Sequence, residues 1–380
     1  MASDIEIVDL LQAIDSRLSK VHTQALDLSF NELLDMYHEG ELKIDPDYQR
    51  IFRWSEGARS RFIESLLLEM PVPPIYVIEE DDGKYLLIDG LQRISSYLHL
   101  RGALNAEHLD PPVVKGEKLR FCDCDIVPEL NGKTFDDLGT ALQIRLKRAF
   151  IRVEVVRKGS DTRFKYHMFK RLNTGGVNLS PQQIRNSSIR LLDAKFNDFI
   201  IKLSQNEFYL ECTSALTNDQ RLEAYDQELV LRFFALKNDR GNFIHSVSDF
   251  LTEYMESVSD PINGRNREFN YLIEEQNFEN TFSALANSLG DKSFGYVNKQ
   301  GNINRAFGIY QFESITLGIQ PFLETLDCND KNKMKLLGTL LEELKKEKRF
   351  IELTTGGGKN SSGALASRVD FVTEFLKSKL

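Results

Sequence analysis

The residues best placed for chemistry lie between Lys84 and Arg93. A short apolar run, Tyr85-Leu86-Leu87-Ile88, ends at Asp89-Gly90, and a helical pattern starts at once with Gln92 and Arg93 in its first turn. A strand, a glycine turn and a helix start together make an anion site, because free backbone N–H groups point outward and the helix dipole favours negative charge. Gly90 lets the backbone approach closely, and Arg93 adds a planar, permanently charged donor fork. In this reading Gln92 places a water or a phosphoryl oxygen, and Asp89 orients Arg93 or binds a metal. The plainer alternative is a strand–helix turn with Asp89 capping the helix and Arg93 on a solvated face.

Other stretches offer related chemistry. Asn173-Thr174-Gly175-Gly176 could form a backbone nest with two side-chain donors, or simply end a helix on its glycines. Ser180-Pro181-Gln182-Gln183 is a capping box with proline at the first helical position, which puts Arg185 and Asn186 in early turns. Two anion cradles suit a polyphosphate better than a single phosphate. Tyr48-Gln49-Arg50 and Trp54 could stack on and clamp a base or its phosphates. Otherwise Phe52 and Trp54 are core residues and Arg50 pairs with a carboxylate such as Glu64. From Arg145 to Arg171 roughly ten Lys or Arg face only Glu154 and Asp161, with Phe150, Phe164, Tyr166 and Phe169 among them. That is either a nucleic-acid patch or two helices and a strand with solvated outer faces. Gly356 to Lys359 fails the Walker A pattern, with Leu353 and Asn360 at the wrong places.

The elements that must carry these residues follow from spacing. Ile7, Leu10, Leu11, Ile14, Leu18 and Val21 predict an amphipathic helix within residues 1–26 that docks on its own core or on a partner. Ser29 predicts a cap for a helix over Phe30 to Glu39 that Gly40 ends, and Ser55 a cap for a helix stopped by Pro71. Strands are predicted at Leu42–Ile44, Ile75–Ile78, up to Asp89, and at Ile151–Val156; helices at about Leu138–Phe150 and Asp161–Leu172. From Ser180 to about residue 350 the spacing is helical, and a last helix runs over Arg368–Lys377. The chain therefore reads as α+β: an α/β domain over 1–190 and an all-α domain over 191–380.

The 380 residues carry a net charge of −9, which argues against coating of nucleic acid by the whole surface. The acidic N-terminus lacks a signal-peptide pattern, and no apolar run approaches the ~18 residues that span a bilayer. Cys122, Cys124, Cys212 and Cys328 show neither a disulfide framework nor zinc spacing. A cytoplasmic setting without a protein-held metal is expected.

Taken together these stretches resemble the bacterial DGQQR family, which includes the N-terminal half of GmrSD-type restriction enzymes and the nucleotide-hydrolysing half of phosphorothioate-sensing defence proteins. The residues that carry the resemblance are Tyr48-Gln49-Arg50 with Trp54, Phe62 to Leu67 with Pro71, Pro73 and Pro74, Asp89 to Arg93, Phe169 to Gly176, and Leu179 to Asn186. The resemblance implies a ParB/sulfiredoxin-like α/β domain that binds a nucleoside triphosphate, followed by a helical domain, in defence against foreign DNA. Positioning and charge neutralisation carry most of phosphoryl transfer, so Arg, Gln and backbone donors with a Mg²⁺ brought by the nucleotide would serve. Asp89, Gln92 and Arg93 are then the catalytic set, with Gln49, Arg50, Gly90, Asn173, Thr174, Gly175, Gly176 and Arg185 as nucleotide-binding residues. Leu91 stands where the family motif has its first Gln. Nothing like an HNH nuclease follows, since after His167 the only histidine is His245, so any cutting of DNA would fall to a partner protein. The alternatives are a non-catalytic DNA-recognition module, a ParB-like nuclease acting with a partner, and a structural subunit that oligomerises through its N-terminal helix.

Overall fold

The computed structural model describes every residue except 1–9, 13, 17–20, 45–51, 110, 175–178, 245, 261–267, 299 and 380. The chain divides into two compact units, Met1–Leu179 and Ser180–Leu380. The first mixes strands and helices; the second is helical.

The first unit is built on a five-stranded sheet of order β1-β5-β3-β4-β2. Its strands are β1 (Thr23–Ser29), β2 (Leu42–Lys43), β3 (Ile75–Glu79), β4 (Tyr85–Asp89) and β5 (Phe150–Val156). Its helices are α1 (Phe30–Glu39), α2 (Glu56–Leu67), α3 (Leu91–Leu100), α4 (Gly139–Arg148) and α5 (Thr162–Thr174). The predicted caps form: Ser29 Oγ accepts from Glu32 N at 3.1 Å, Gly40 ends α1 at φ +73°, and Ser55 Oγ accepts from Ala58 N at 3.2 Å. β3 and β4 make a hairpin, antiparallel from Tyr76↔Asp89 to Glu79↔Tyr85, and β3 runs parallel to β5 from Ile75↔Val153. On one side Phe30, Phe62 and Tyr97 bring α1, α2 and α3 together, with ring centroids 6.0 Å and 5.0 Å from Phe30.

The N-terminal segment departs from the sequence expectation. Residues 10–12 and 14–16 are helical, but 23–29 leave that pattern and become β1, an edge strand paired with β5 from Thr23↔Val156 to Ser29↔Phe150. The strand is half exposed and short of β-branched residues, so its partner, rather than its own propensity, decides its state.

Residues 103–138 hold only two short 3₁₀ turns, Pro128–Leu130 and Phe135–Leu138, and polar side chains of α2 pin part of the stretch down. Glu64 Oε1 accepts from Ile126 N at 3.1 Å and Val127 N at 2.6 Å, and Ser60 Oγ accepts from Cys122 N at 3.1 Å. At Gly57 a Cβ would meet the Asp123 side chain, with Oδ2 at 2.2 Å, so the glycine gives that carboxylate room beside α2.

The second unit contains α6 (Pro181–Ile189), α7 (Lys195–Ser204), α8 (Glu207–Cys212), α9 (Asn218–Leu222), α10 (Tyr225–Asp239) and α11 (Val247–Ser259). It continues with α12 (Tyr271–Ser288), α13 (Ile309–Gly318), α14 (Lys331–Lys346), α15 (Lys348–Thr354) and α16 (Ser362–Lys377). α16 starts at Ser362 rather than Arg368 because Ser361 Oγ caps it through Ala364 N at 3.2 Å. Its core is aromatic: Phe233, Phe234, Phe278, Phe282 and Phe312 form one connected set of ring contacts. Threaded through it is a buried ion network, in which Glu313 of α13 accepts from Arg232 Nε of α10 at 2.6 Å and from Arg368 Nη2 of α16. Lys359, in the glycine-rich loop, donates to the carbonyls of Glu352 and Thr355 at the end of α15, and Arg368 Nη1 holds Lys359 O at 2.9 Å. That lysine is a helix cap, not a phosphate ligand. Among the described residues no helix is long and apolar enough to cross a membrane.

Lys345 of α14 is fully buried, donating to Gly295 O at 2.9 Å and Gln311 Oε1 at 3.0 Å, and burial brings its pKa down to about 7. An unfolded lysine titrates near 10.5, so between pH 7 and that value the unfolded chain binds the extra proton and stability rises with pH. We expect wild type to gain about 2 kcal/mol on Lys345→Met between pH 7 and 9, at ~1.4 kcal/mol per unit. Urea denaturation of both proteins at the two pH values measures it. A constant difference would show that Lys345 stays charged in the fold.

Candidate functional site

β4 delivers the chain to Asp89, and Gly90 turns it into α3 at φ +105°. A Cβ at Gly90 would meet Ile75 Cγ2 at 2.3 Å, so the backbone conformation and the neighbouring strand both exclude a side chain. Gly90 is the N-cap, and no side chain caps α3. The first-turn N–H groups of α3 therefore keep the partial positive charge of a helix start.

Arg93 lies across this turn. Its Nη2 donates to Asp89 Oδ2 at 2.9 Å and to Pro74 O at 3.0 Å. The side chain is only 16% exposed, so it does not sit on a solvated face, and Asp89 pairs with it instead of capping the helix. Arg93 Nε is buried and has no acceptor among the described residues. An unmet donor on a buried cation costs about 1–3 kcal/mol or more, and an anion at this position would remove that cost.

Gln92 faces the other way. It is buried, and its Oε1 accepts from the backbone N of Arg53 at 3.2 Å and of Trp54 at 3.1 Å. That contact makes Gln92 a positioning residue for the segment 52–54. Tyr48, Gln49 and Arg50, just ahead of that segment, lie outside the described residues. Phe52 is buried, and Trp54 sits edge-on to Phe62 at 5.8 Å. Glu64, the carboxylate considered for Arg50, is turned to the backbone of Ile126 and Val127. Leu91 is a core residue.

Sequence reading missed Arg59. It is buried, donates from Nε to Trp54 O at 2.8 Å, lies over the Phe52 ring at 5.1 Å, and meets His99 Nδ1 through Nη1 at 2.9 Å. A guanidinium can only donate, so Nδ1 accepts and the ring proton of His99 is on Nε2. Burial, then the charge of Arg59, brings the His99 pKa down to about 4, so the ring is neutral at pH 7. Burial also lowers the pKa of Arg59. Among the described residues no carboxylate forms an ion pair with Arg59. The signal was present: Arg59 stands four residues before Ile63, on the inward face of α2.

Asn173 ties α5 to the same turn. Its Nδ2 donates to Ile88 O at 2.9 Å and to Phe169 O at 3.0 Å, which engages both amide hydrogens on backbone. Thr174 ends α5; Gly175 and Gly176 lie outside the described residues. Arg185 belongs to the second unit, where it is bound to Glu228, Gln182 and Ser248, with Arg185 Nη2 to Glu228 Oε2 at 2.5 Å. The structure thus converges Asp89, Gly90, Arg93 and Asn173 on one turn, while Gln92 braces it from behind.

The basic stretch is less free than its composition indicates. Arg145 pairs with Glu69 at 3.1 Å, Arg152 with Asp27 at 3.1 Å, and Arg157 with Glu79 at 3.2 Å. Tyr166 and Phe169 are buried and unavailable for stacking on a base.

Residues 30–190 match the family described as GmrSD restriction endonuclease, N-terminal domain. The matched GmrSD-type region contains the Asp89–Arg93 turn, Arg59, Asn173 and Arg185. No curated protein and no solved structure matches the chain.

If the Gly90 turn is as constrained as its geometry indicates, Gly90→Ala destabilises the first unit by at least about 2 kcal/mol, from strain plus overlap. Chemical denaturation followed by fluorescence of Trp54, the only tryptophan, reads that loss. An unchanged midpoint would mean that β3 and the turn yield easily.

Proposed function

We propose that the GmrSD-type region binds a nucleoside triphosphate at the Asp89–Arg93 turn, as part of a restriction-type system directed at foreign DNA. The family match supports the restriction and defence role. The buried, acceptor-free Nε of Arg93, beside a helix start that no side chain caps, is the observation that carries the ligand assignment. A phosphate oxygen would satisfy that donor, and the helix dipole would add to the attraction.

The roles divide by geometry. Arg93 neutralises phosphate, Asp89 fixes the guanidinium, and Gly90 gives the ligand access to the backbone. Gln92 and Asn173 hold the segments 52–54 and 169–173 against the turn and act as positioning residues. Arg50, Gln49, Thr174, Gly175 and Gly176 remain proposed nucleotide contacts on the strength of the family pattern. Arg185 is held by Glu228 within the second unit. Among the described residues no group of three or more His, Cys, Asp or Glu is arranged to hold a metal ion. Mg²⁺ typically binds through one or two carboxylates plus substrate phosphates, and Asp89 is the carboxylate at this turn.

The nucleotide reading stands ahead of the DNA patch because the turn contains an unmet donor, whereas three arginines of the patch already have carboxylate partners. Titration calorimetry with ATP, GTP, CTP and UTP, each with Mg²⁺, tests it. We expect one or more to bind, with Arg93→Ala weakening that binding by at least about tenfold, as befits loss of a charge-assisted contact. Release of inorganic phosphate in the same samples reads turnover. Equal binding by wild type and Arg93→Ala would remove the assignment, as would binding of none of the four.

A further inference from the structure

The helical unit has an uncapped helix start of its own. α13 begins at Gly308, which is its N-cap and offers no side chain to the first-turn N–H groups. The Tyr296 ring lies against this start, where a Cβ on Gly308 would meet its Cζ at 2.5 Å. Phe307, one residue ahead of the cap, meets the Tyr225 ring edge-on at 6.3 Å. Tyr225, Tyr296, Phe307 and Tyr310 are all partly exposed, unlike the phenylalanines of the core beside them.

Two buried arginines reach the same helix start. Tyr225, Glu228 and Arg232 share one face of α10. Arg232 is 7% exposed, and its Nε donates to Glu313 Oε1 at 2.6 Å. Among the described residues its two terminal nitrogens have no hydrogen-bond partner. Arg368 is 1% exposed and lies over the Tyr310 ring at 4.8 Å. It gives Nη2 to Glu313 and Nη1 to Lys359 O, and its Nε is buried without an acceptor among the described residues. Helical side chains lean toward the N-terminus, so Glu313, in the second turn of α13, holds both guanidinium groups over the first.

The charges of this cluster do not balance. Its ion pairs set Arg185, Arg232 and Arg368 against Glu228 and Glu313, which leaves one positive charge in excess. A buried cation without a counter-ion is costly, and a phosphate would supply the missing charge. Its oxygens would accept from the terminal nitrogens of Arg232 and from the free N–H groups of α13. The partly exposed rings would offer a base a face to stack on.

We propose that the start of α13, with Arg232 and the rings of Tyr225 and Tyr296, binds a nucleotide unit, phosphate on the arginine and base against the rings. A free nucleotide and a single strand of nucleic acid share this chemistry. The site uses none of the residues of the Asp89–Arg93 turn, so it stands whether or not that turn binds a nucleoside triphosphate.

Calorimetric titration of the full chain with thymidine 5′-monophosphate, a short single-stranded oligothymidylate and inorganic phosphate tests it. Wild type, Arg93→Ala and Arg232→Gln are compared. In Arg232→Gln, Glu313 keeps Arg368, so no buried carboxylate is stranded. We expect wild type and Arg93→Ala to bind the monophosphate or the oligonucleotide alike, and Arg232→Gln to weaken that binding by about tenfold or more. Tighter binding of the oligonucleotide assigns the site to a strand, and tighter binding of the monophosphate to a free nucleotide. Where circular dichroism shows Arg232→Gln to be unfolded, Tyr225→Ala, which removes a half-buried ring, takes its place with the same expectation. Binding of neither nucleotide probe by wild type overturns the proposal. So does binding that Arg93→Ala abolishes and Arg232→Gln leaves unchanged. Inorganic phosphate bound as tightly as either probe overturns it too, since the rings then contribute nothing.

Discussion

A single guanidinium organises the candidate site. Arg93 reaches back across the first turn of α3 to Asp89 and sideways to the carbonyl of Pro74, which binds three points of the chain to one another. Those contacts exist only because the β3–β4 hairpin is in one register, with Tyr76 opposite Asp89 and Ile75 packed where a Gly90 side chain would be. A slip of one residue would turn the side chains of β4 to the other face and carry Asp89 away from Arg93. The hairpin turn at Asp82-Gly83, which does not touch the site, and the prolines before β3, of which Pro74 does, are therefore conditions for it. The same geometry leaves Arg93 Nε unpaired, so completing the hairpin creates the unmet donor.

The helical unit handles buried charge differently. Glu313 lies between Arg232 and Arg368, and Glu228 meets Arg185, so four helices are joined by ion pairs with little exposure. Such pairs add little net stability, because desolvation offsets most of the Coulomb gain, yet losing one partner strands the other. Their effect here is to fix which helices are neighbours within an aromatic core whose rings alone would tolerate several arrangements. Arg368 also holds the glycine-rich loop through Lys359 O. That explains how a segment with phosphate-loop composition serves as a structural junction.

Much of this architecture was legible locally. Ser29, Ser55 and Ser180 cap the helices that their positions predict, because a cap is a contact over three residues and needs nothing distant. The division into an α/β region and a helical region was legible for the same reason. β1 was not, since helical and strand periodicities overlap over so short a run and only pairing with β5 decides. In the site, the strand–glycine–helix turn was readable, but the roles of its side chains were not. The contact of the Gln92 oxygen with the backbone of Arg53 and Trp54, thirty-nine and thirty-eight residues away in sequence, has no local signal. The basic stretch misled in the same manner, because Asp27, Glu69 and Glu79, which neutralise much of it, come from other elements.

Counting charges therefore says less than counting their partners. The chain is acidic, with a net charge of −9, yet its first unit holds Arg59 with only neutral partners: a carbonyl, a neutral imidazole and the face of a phenyl ring. Arg59 packs beside the segment that Gln92 fixes to the first turn of α3. Its charge, which Glu56 offsets in part, and the positive end of that helix dipole thus act on the same region, and low local polarity lets both be felt farther than they would be in water. At Glu313 and Glu228, by contrast, a carboxylate is paired directly with its arginine. Arg59 instead relies on neutral hydrogen-bond acceptors and a ring face, so its charge is screened less by the protein than those of the helical unit.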